Sequence, residues 1–175
     1  DELNIRLGRF SPSFGAFNLR HDPAHHKLSD KPLPYDMGRM LRLREWNMGV
    51  LPSPFPDNGL ELSGTHWFGE KVQLDYAAYV VSGFKADATA TDLDFQQSRS
   101  GNLYYVDNNG RPSFGGRTAV TAKLGTTSDA TLGASAMFGW LDPDAKLSYF
   151  IGGADLVLRF DRTNIRLEYL VRREQ

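Results

Sequence analysis

Charged and polar side chains recur at every second position along several stretches of this 175-residue chain. In NIRLEYLVRREQ, residues 164–175, Arg166, Glu168 and Arg172 alternate with Ile165, Leu167, Tyr169 and Val171. Elsewhere Arg6 stands among Leu3, Ile5 and Leu7. Lys71, Gln73 and Asp75 stand among Val72, Leu74 and Tyr76, and Arg117 and Lys123 among Thr118, Val120 and Leu124. Asp155 and Arg159 alternate with Ala154, Leu156 and Leu158. A period of two is that of a β-strand, so within each stretch the polar groups share one face. On those faces the bases Arg6, Lys71, Arg117, Lys123, Arg159, Arg166 and Arg172 outnumber the acids Asp75, Asp155 and Glu168, with Glu2 and Glu61 narrowing the difference. Lining a water-filled pore, such a wall would favour anions. Facing one another across neighbouring strands, the same groups would pair and fill a narrow interior.

Patterns for bond-making chemistry are missing. HDPAHH brings together His21, Asp22, His25 and His26, donors that zinc or copper accepts. The spacing fits no metal motif and the segment is bounded by proline, so it reads as exposed loop histidines. There is no cysteine, hence no disulfide framework and no thiolate site. A G-x-S-x-G elbow is absent, and SFGG and GGAD lack the Lys-Ser/Thr of a phosphate loop. Asp107, Asn108 and Asn109 lack the later glutamate of a calcium loop, and Asn109–Gly110 reads as a hairpin turn. The net charge of −1, from 20 Lys+Arg and 21 Asp+Glu, gives no footprint for nucleic acid. Neither enzyme activity nor a cofactor is expected.

The elements that carry these faces are strands throughout. Period-two segments cover residues 2–10, 59–68, 71–83, 116–125, 130–140, 153–160 and 164–175. No apolar run approaches the ~18 residues of a membrane helix. The connections alternate in length. Residues 11–58, 84–114 and 141–146 are the longer ones, and Gly69–Glu70, residues 126–129 and residues 161–164 the short ones. In an up-and-down meander this puts short turns at one end and long loops at the other, the plan of an outer-membrane barrel. Phe10, Trp67, Phe68, Phe84, Trp140 and Phe160 near strand ends suit aromatic girdles; core aromatics of a sandwich are the competing reading. The 11–58 loop contains YDMGRMLRLREW, whose Arg39, Arg42 and Arg44 would attract anions if the loop folds into a barrel mouth; a solvated surface loop is the alternative. The expected fold is therefore all-β: an up-and-down antiparallel transmembrane β-barrel, or an open part of one, in a single domain over residues 1–175.

IRLGRFSPSFGAFN, with Gly8, Arg9, Phe10, Pro12, Phe14, Gly15 and Asn18, resembles a strand and loop of bacterial outer-membrane porins of the phosphate-selective O and P type. KPLPYD and LPSPFPDNGLELSG, LDYAAYVVSG and GGADLVLRFDRTNIRLEYL look like further loops and strands of that family in the same order. The resemblance implies a channel in the outer membrane of a Gram-negative bacterium, in contact with lipid, passing small hydrophilic solutes or ions, with a homo-oligomer (a trimer) among the assemblies it allows. It does not extend to a ladder of phosphate-binding bases. Porins also have more strands and an even number of them, so a further strand is expected, within residues 37–50 or in a longer protein. The alternatives are a pore-less barrel acting as anchor, adhesin or assembly protein, and a soluble β-barrel or sandwich with an interior ligand.

Overall fold

The computed structural model of the chain describes residues 2–18, 32–35, 50–51, 55–84 and 109–175. Arg39, Arg42 and Arg44, the histidines of HDPAHH and all but the last of residues 37–50, where a further strand is sought, lie outside those residues.

Seven strands form a single antiparallel sheet in chain order. They are β1 (Asn4–Phe10), β2 (Asp57–Phe68), β3 (Val72–Val81), β4 (Ser113–Lys123), β5 (Ser128–Trp140), β6 (Ser148–Phe160) and β7 (Thr163–Glu174). Every neighbour in sequence is a neighbour in the sheet, so the sheet is an up-and-down meander; β1 and β7 are its edges. The tight connections β2–β3, β4–β5 and β6–β7 lie together at one end. Gly69 at φ +64° and Asp161 at φ +48° take the left-handed conformations that tight hairpins need. The longer connections β1–β2, β3–β4 and β5–β6 lie at the other, the loop end. Among the described residues no helix is long and apolar enough to cross a membrane, which says nothing of strands.

The two faces of the sheet are unlike each other in an unusual direction. Paired residues share a face, so the register assigns every side chain. Leu7, Leu60, Val80, Phe114, Phe138 and Phe150 follow one another across six strands on one side, with Arg173 next in the row on β7. That side is bare: Leu7 is 83% exposed, Leu132 64% and Tyr169 70%. The opposite side carries Arg6, Glu61, Arg117, Asp155 and Glu168, and there the chain buries its charges, Glu61 at 0% and Asp155 at 3%. The aromatics expected as girdles divide between the sides. By register Phe68, Trp140 and Phe160 belong to the bare face, while Phe10 and Trp67 fall on the polar face, paired with Asp57 and Gln73. Phe84 is buried with Phe55 and Tyr149, stacked on the first at 4.5 Å.

At the loop end the polar face gives way to an apolar cluster. Tyr79, Val81, Met137, Tyr149, Ile151 and Leu170 from the strands meet Phe14, Phe17, Tyr35, Leu51, Phe55 and Phe84 from the loops. This is the protein's buried core, and it lies between the sheet and its own β1–β2 and β3–β4 connections.

The β5–β6 loop is held by one carboxylate. Asp142 accepts hydrogen bonds from the Leu147 N–H at 2.8 Å and the Lys146 N–H at 3.1 Å, and its carbonyl accepts from the N–H of Ala145, a residue at φ +53°. Burial works against the charge, but the backbone donors and the Lys146 cation outweigh it and hold the carboxyl below its ordinary range. A depressed value in the folded state means stability present above the ordinary aspartate value and lost as pH falls through the lowered one. The urea midpoint is expected to fall as pH is lowered from about 5 toward about 2, and to fall less over that window in Asp142→Asn. Parallel slopes for the two proteins would refute this role.

Candidate functional site

The loop after β1 does not leave the sheet. Residues 11–18 cross the polar face as a strap, fastened strand by strand. The N–H of Ser13 donates to Glu61 Oε2 on β2 at 2.8 Å, and its hydroxyl to Glu61 Oε1 at 3.0 Å. The Gly15 N–H donates to Ser135 Oγ on β5 at 2.9 Å. The N–H groups of Ala16 and Phe17 donate to the two oxygens of Glu168 on β7, at 3.0 and 3.2 Å. Ser13 and Ala16 are separated by at most about 11 Å of chain, whereas β2 and β7 would lie about 24 Å apart in a flat sheet. The sheet is therefore curled, with the strap across its concave, polar side.

Glycine makes the crossing possible. Gly15 sits at φ +64°, and a Cβ there would strike Glu168 and the Tyr35 hydroxyl. Tyr35, in a 3₁₀ turn at Leu33–Tyr35, donates its hydroxyl to Glu168 Oε1 at 2.6 Å. Burial raises the Tyr35 phenol far above its ordinary value, and the Glu168 charge and hydrogen bond add to the shift. Tyr35 is thus a fixed donor to Glu168 at any physiological pH.

Below the strap the charges pair. Arg117 on β4 reaches over β5 to Asp155 on β6, with Nη2 to Oδ1 at 2.8 Å and a second, shorter bond from Nη1 to Oδ2. Nη1 also donates to Ser135 Oγ at 3.2 Å. The pair lies over Gly133, the β5 position where any side chain would collide with it. Arg6 pairs with Glu61, Arg159 with Asp129 at 2.8 Å, and Arg172 with Glu174 at 3.0 Å. Asp75 accepts from Thr65 at 2.6 Å and from Gln73 at 2.8 and 2.9 Å. Lys123 places its ammonium 4.5 Å from the centroid of the Trp67 ring. Lys71, in the β2–β3 turn, and Arg166, on β7, are exposed.

The residues singled out by alternation therefore do share one face, but their surroundings change their meaning. Part of the surplus of bases is met by acids: Glu61, Asp129 and Glu174 each hold an arginine. Ser13, Tyr35 and Ser135 were not legible as site residues, because their strap contacts join positions from 48 to 133 residues apart in the chain. Arg39, Arg42 and Arg44 fall outside the described residues. Among the described residues, no group of three histidines or carboxylates is disposed to hold a metal ion.

Compared with models of known protein families, with curated proteins and with solved structures, the chain matches none. Its likeness to porins therefore rests on the motifs quoted above.

The Arg117–Asp155 pair is nearly dry, with side chains 11% and 2% exposed. Removing one member of such a pair strands the other's charge and costs about 3–5 kcal/mol, while replacing both by apolar groups is often close to neutral. Asp155→Ala is expected to lower the unfolding free energy of the folded protein by about that amount. Arg117→Met with Asp155→Leu should recover most of the loss. Arg117→Glu would set a second carboxylate against Asp155, so it is expected to unfold the site rather than report on ion selectivity.

Proposed function

We propose that this chain forms wall of an outer-membrane β-barrel of porin type, through which small hydrophilic solutes or ions diffuse passively. The observation that carries this is the bare apolar face. A sheet in water turns its leucines inward and its arginines outward, because burying apolar surface is what drives folding. Here Leu7, Leu132 and Leu167 are exposed, while Glu61, Asp155 and the Arg117 guanidinium are covered. Among the described residues no second sheet or helix shields Leu132, Leu167 or Tyr169. An apolar surface of this extent fits hydrocarbon, and a strand whose side chains alternate between lipid and a polar interior satisfies its backbone in its neighbours.

The dimensions agree. On the bare side of β6, Phe150 and Phe160 flank Gly152, Ala154, Leu156 and Leu158, with no charge between them. Ten residues of strand rise about 33 Å, and a strand tilted about 40° projects that to about 25 Å, the height of the apolar band of an outer-membrane barrel. Arg173 lies in the same register row as Phe150, where a long side chain reaches the headgroups. Of the seven bases behind the expected anion preference, Arg6, Arg117, Arg159 and Arg172 face acids.

A pore-less barrel is favoured by a different observation: the apolar cluster of Phe14, Phe17, Tyr35 and Tyr149 fills the loop end of the concave side. Conductance separates the two. Protein refolded into planar bilayers is expected to give discrete single-channel steps; a folded, silent protein would favour the pore-less barrel.

Leu132 tests the lipid assignment itself. It pairs with Leu156, near the middle of the Phe150–Phe160 span. Leu132→Arg is expected to cost about 2–4 kcal/mol when folding is measured in lipid vesicles. On a sheet in water, a change at a side chain so exposed would be within about 0.5 kcal/mol.

A further inference from the structure

Beneath the strap, between β1, β2, β3 and β4, lies a cavity of about 200 Å³ lined by Asn4, Ser13, Ser63, Thr65, Asp75 and Arg117. That volume is room for roughly six water molecules. Its lining is rich in oxygen: three hydroxyls, an amide carbonyl and a carboxylate.

The charges around it are unequal in availability. Arg117 is the cation of the lining, and its guanidinium is engaged by Asp155 and Ser135. Glu61, close by, is held by Arg6 and Ser13. Asp75 differs from the other carboxylates of this region. Its hydrogen-bond donors are the neutral Thr65 and Gln73, so they orient the carboxylate without cancelling its charge. It is half-buried in the wall of the cavity. Among the described residues, Lys71, Lys123 and Arg166 of the polar side have no carboxylate partner and are exposed, where water and salt screen them over about 8–10 Å. A charge in a concave wall acts on a passing solute more strongly than charges at an open rim.

We propose that this cavity is a binding step for small hydrated cations and that Asp75 is the residue that makes the channel favour them. Hard cations take oxygen ligands and keep part of their water, and the cavity offers both oxygens and space for water. The inference rests on the channel reading above, and it reverses the sign of selectivity that a count of bases in the sequence suggests.

The test is the reversal potential of the refolded protein in planar bilayers under a tenfold potassium chloride gradient. The protein should show cation-selective sign, and Asp75→Asn, which keeps acceptors for Thr65 or Gln73, should lower the potassium-to-chloride permeability ratio several-fold. Because the chain has no cysteine, Asp75→Cys gives a single thiol for a control of charge independent of folding. Modification by an anionic methanethiosulfonate should restore cation preference, and a cationic one should deepen its loss. Channels that are anion-selective, or whose reversal potential ignores both the Asn variant and the two reagents, overturn the role of Asp75 and leave the channel standing. Absence of channels overturns both.

Discussion

A strand cannot hide both of its faces behind one neighbour. Alternation commits each residue to one side of the sheet, and here the two sides demand different surroundings. Leu7, Leu132, Leu167 and Tyr169 need an apolar neighbour, and none is present among the described residues. Glu61, Asp155 and Glu168 need polar partners, and the sheet and its strap supply them. Most of the remaining architecture follows from that division. The sheet curls toward its polar side, the β1–β2 connection turns inward to cover charge, and Gly115, Gly133 and Gly139 fall where Tyr79, the Arg117–Asp155 pair and Tyr149 must pass.

The strap shows how charge is stabilised when water is displaced. An unpaired buried carboxylate is very costly, and a backbone N–H without a partner is costly too. Crossing the sheet with exposed peptide groups solves both problems at once. Glu61 and Glu168 take the N–H groups of Ser13, Ala16 and Phe17, which have no strand partner, and those N–H groups in turn stabilise the carboxylates. Charge-assisted bonds of this kind are about twice as strong as neutral ones. The strap is thereby fixed to β2, β5 and β7 together, which makes the curl of the sheet and the path of the loop a single structural decision.

The strands were readable because period two is a local signal. Ile165, Leu167 and Tyr169 against Arg166 and Glu168 suffice to assign faces, and the structure keeps those faces. The segregation of short and long connections was readable for the same reason. What a side chain meets on its face is not local. Arg117 looks like a free base in GRTAVTAKLG, yet its partner lies across another strand, in GGADLVLRF. Glu168 looks like half of a pair with a neighbouring arginine, and instead it anchors a loop more than a hundred and fifty residues away. Trp67 and Phe68 are adjacent in the chain and look equivalent as interface aromatics, but consecutive residues point to opposite sides, so only Phe68 belongs to the bare face.

In a meander of seven strands the first and last run in the same direction. Among the described residues, β1 pairs only with β2 and β7 only with β6, so each edge keeps a row of peptide groups to satisfy. One strand laid between the two edges in the opposite sense would be antiparallel to both. Two copies of the sheet side by side, related by rotation about an axis along the strands, would instead set β7 beside β1 in parallel. Duplication also adds an odd number of strands, so the direction of the strands at the junction, and not their parity, separates closure by one further strand from closure by simple duplication.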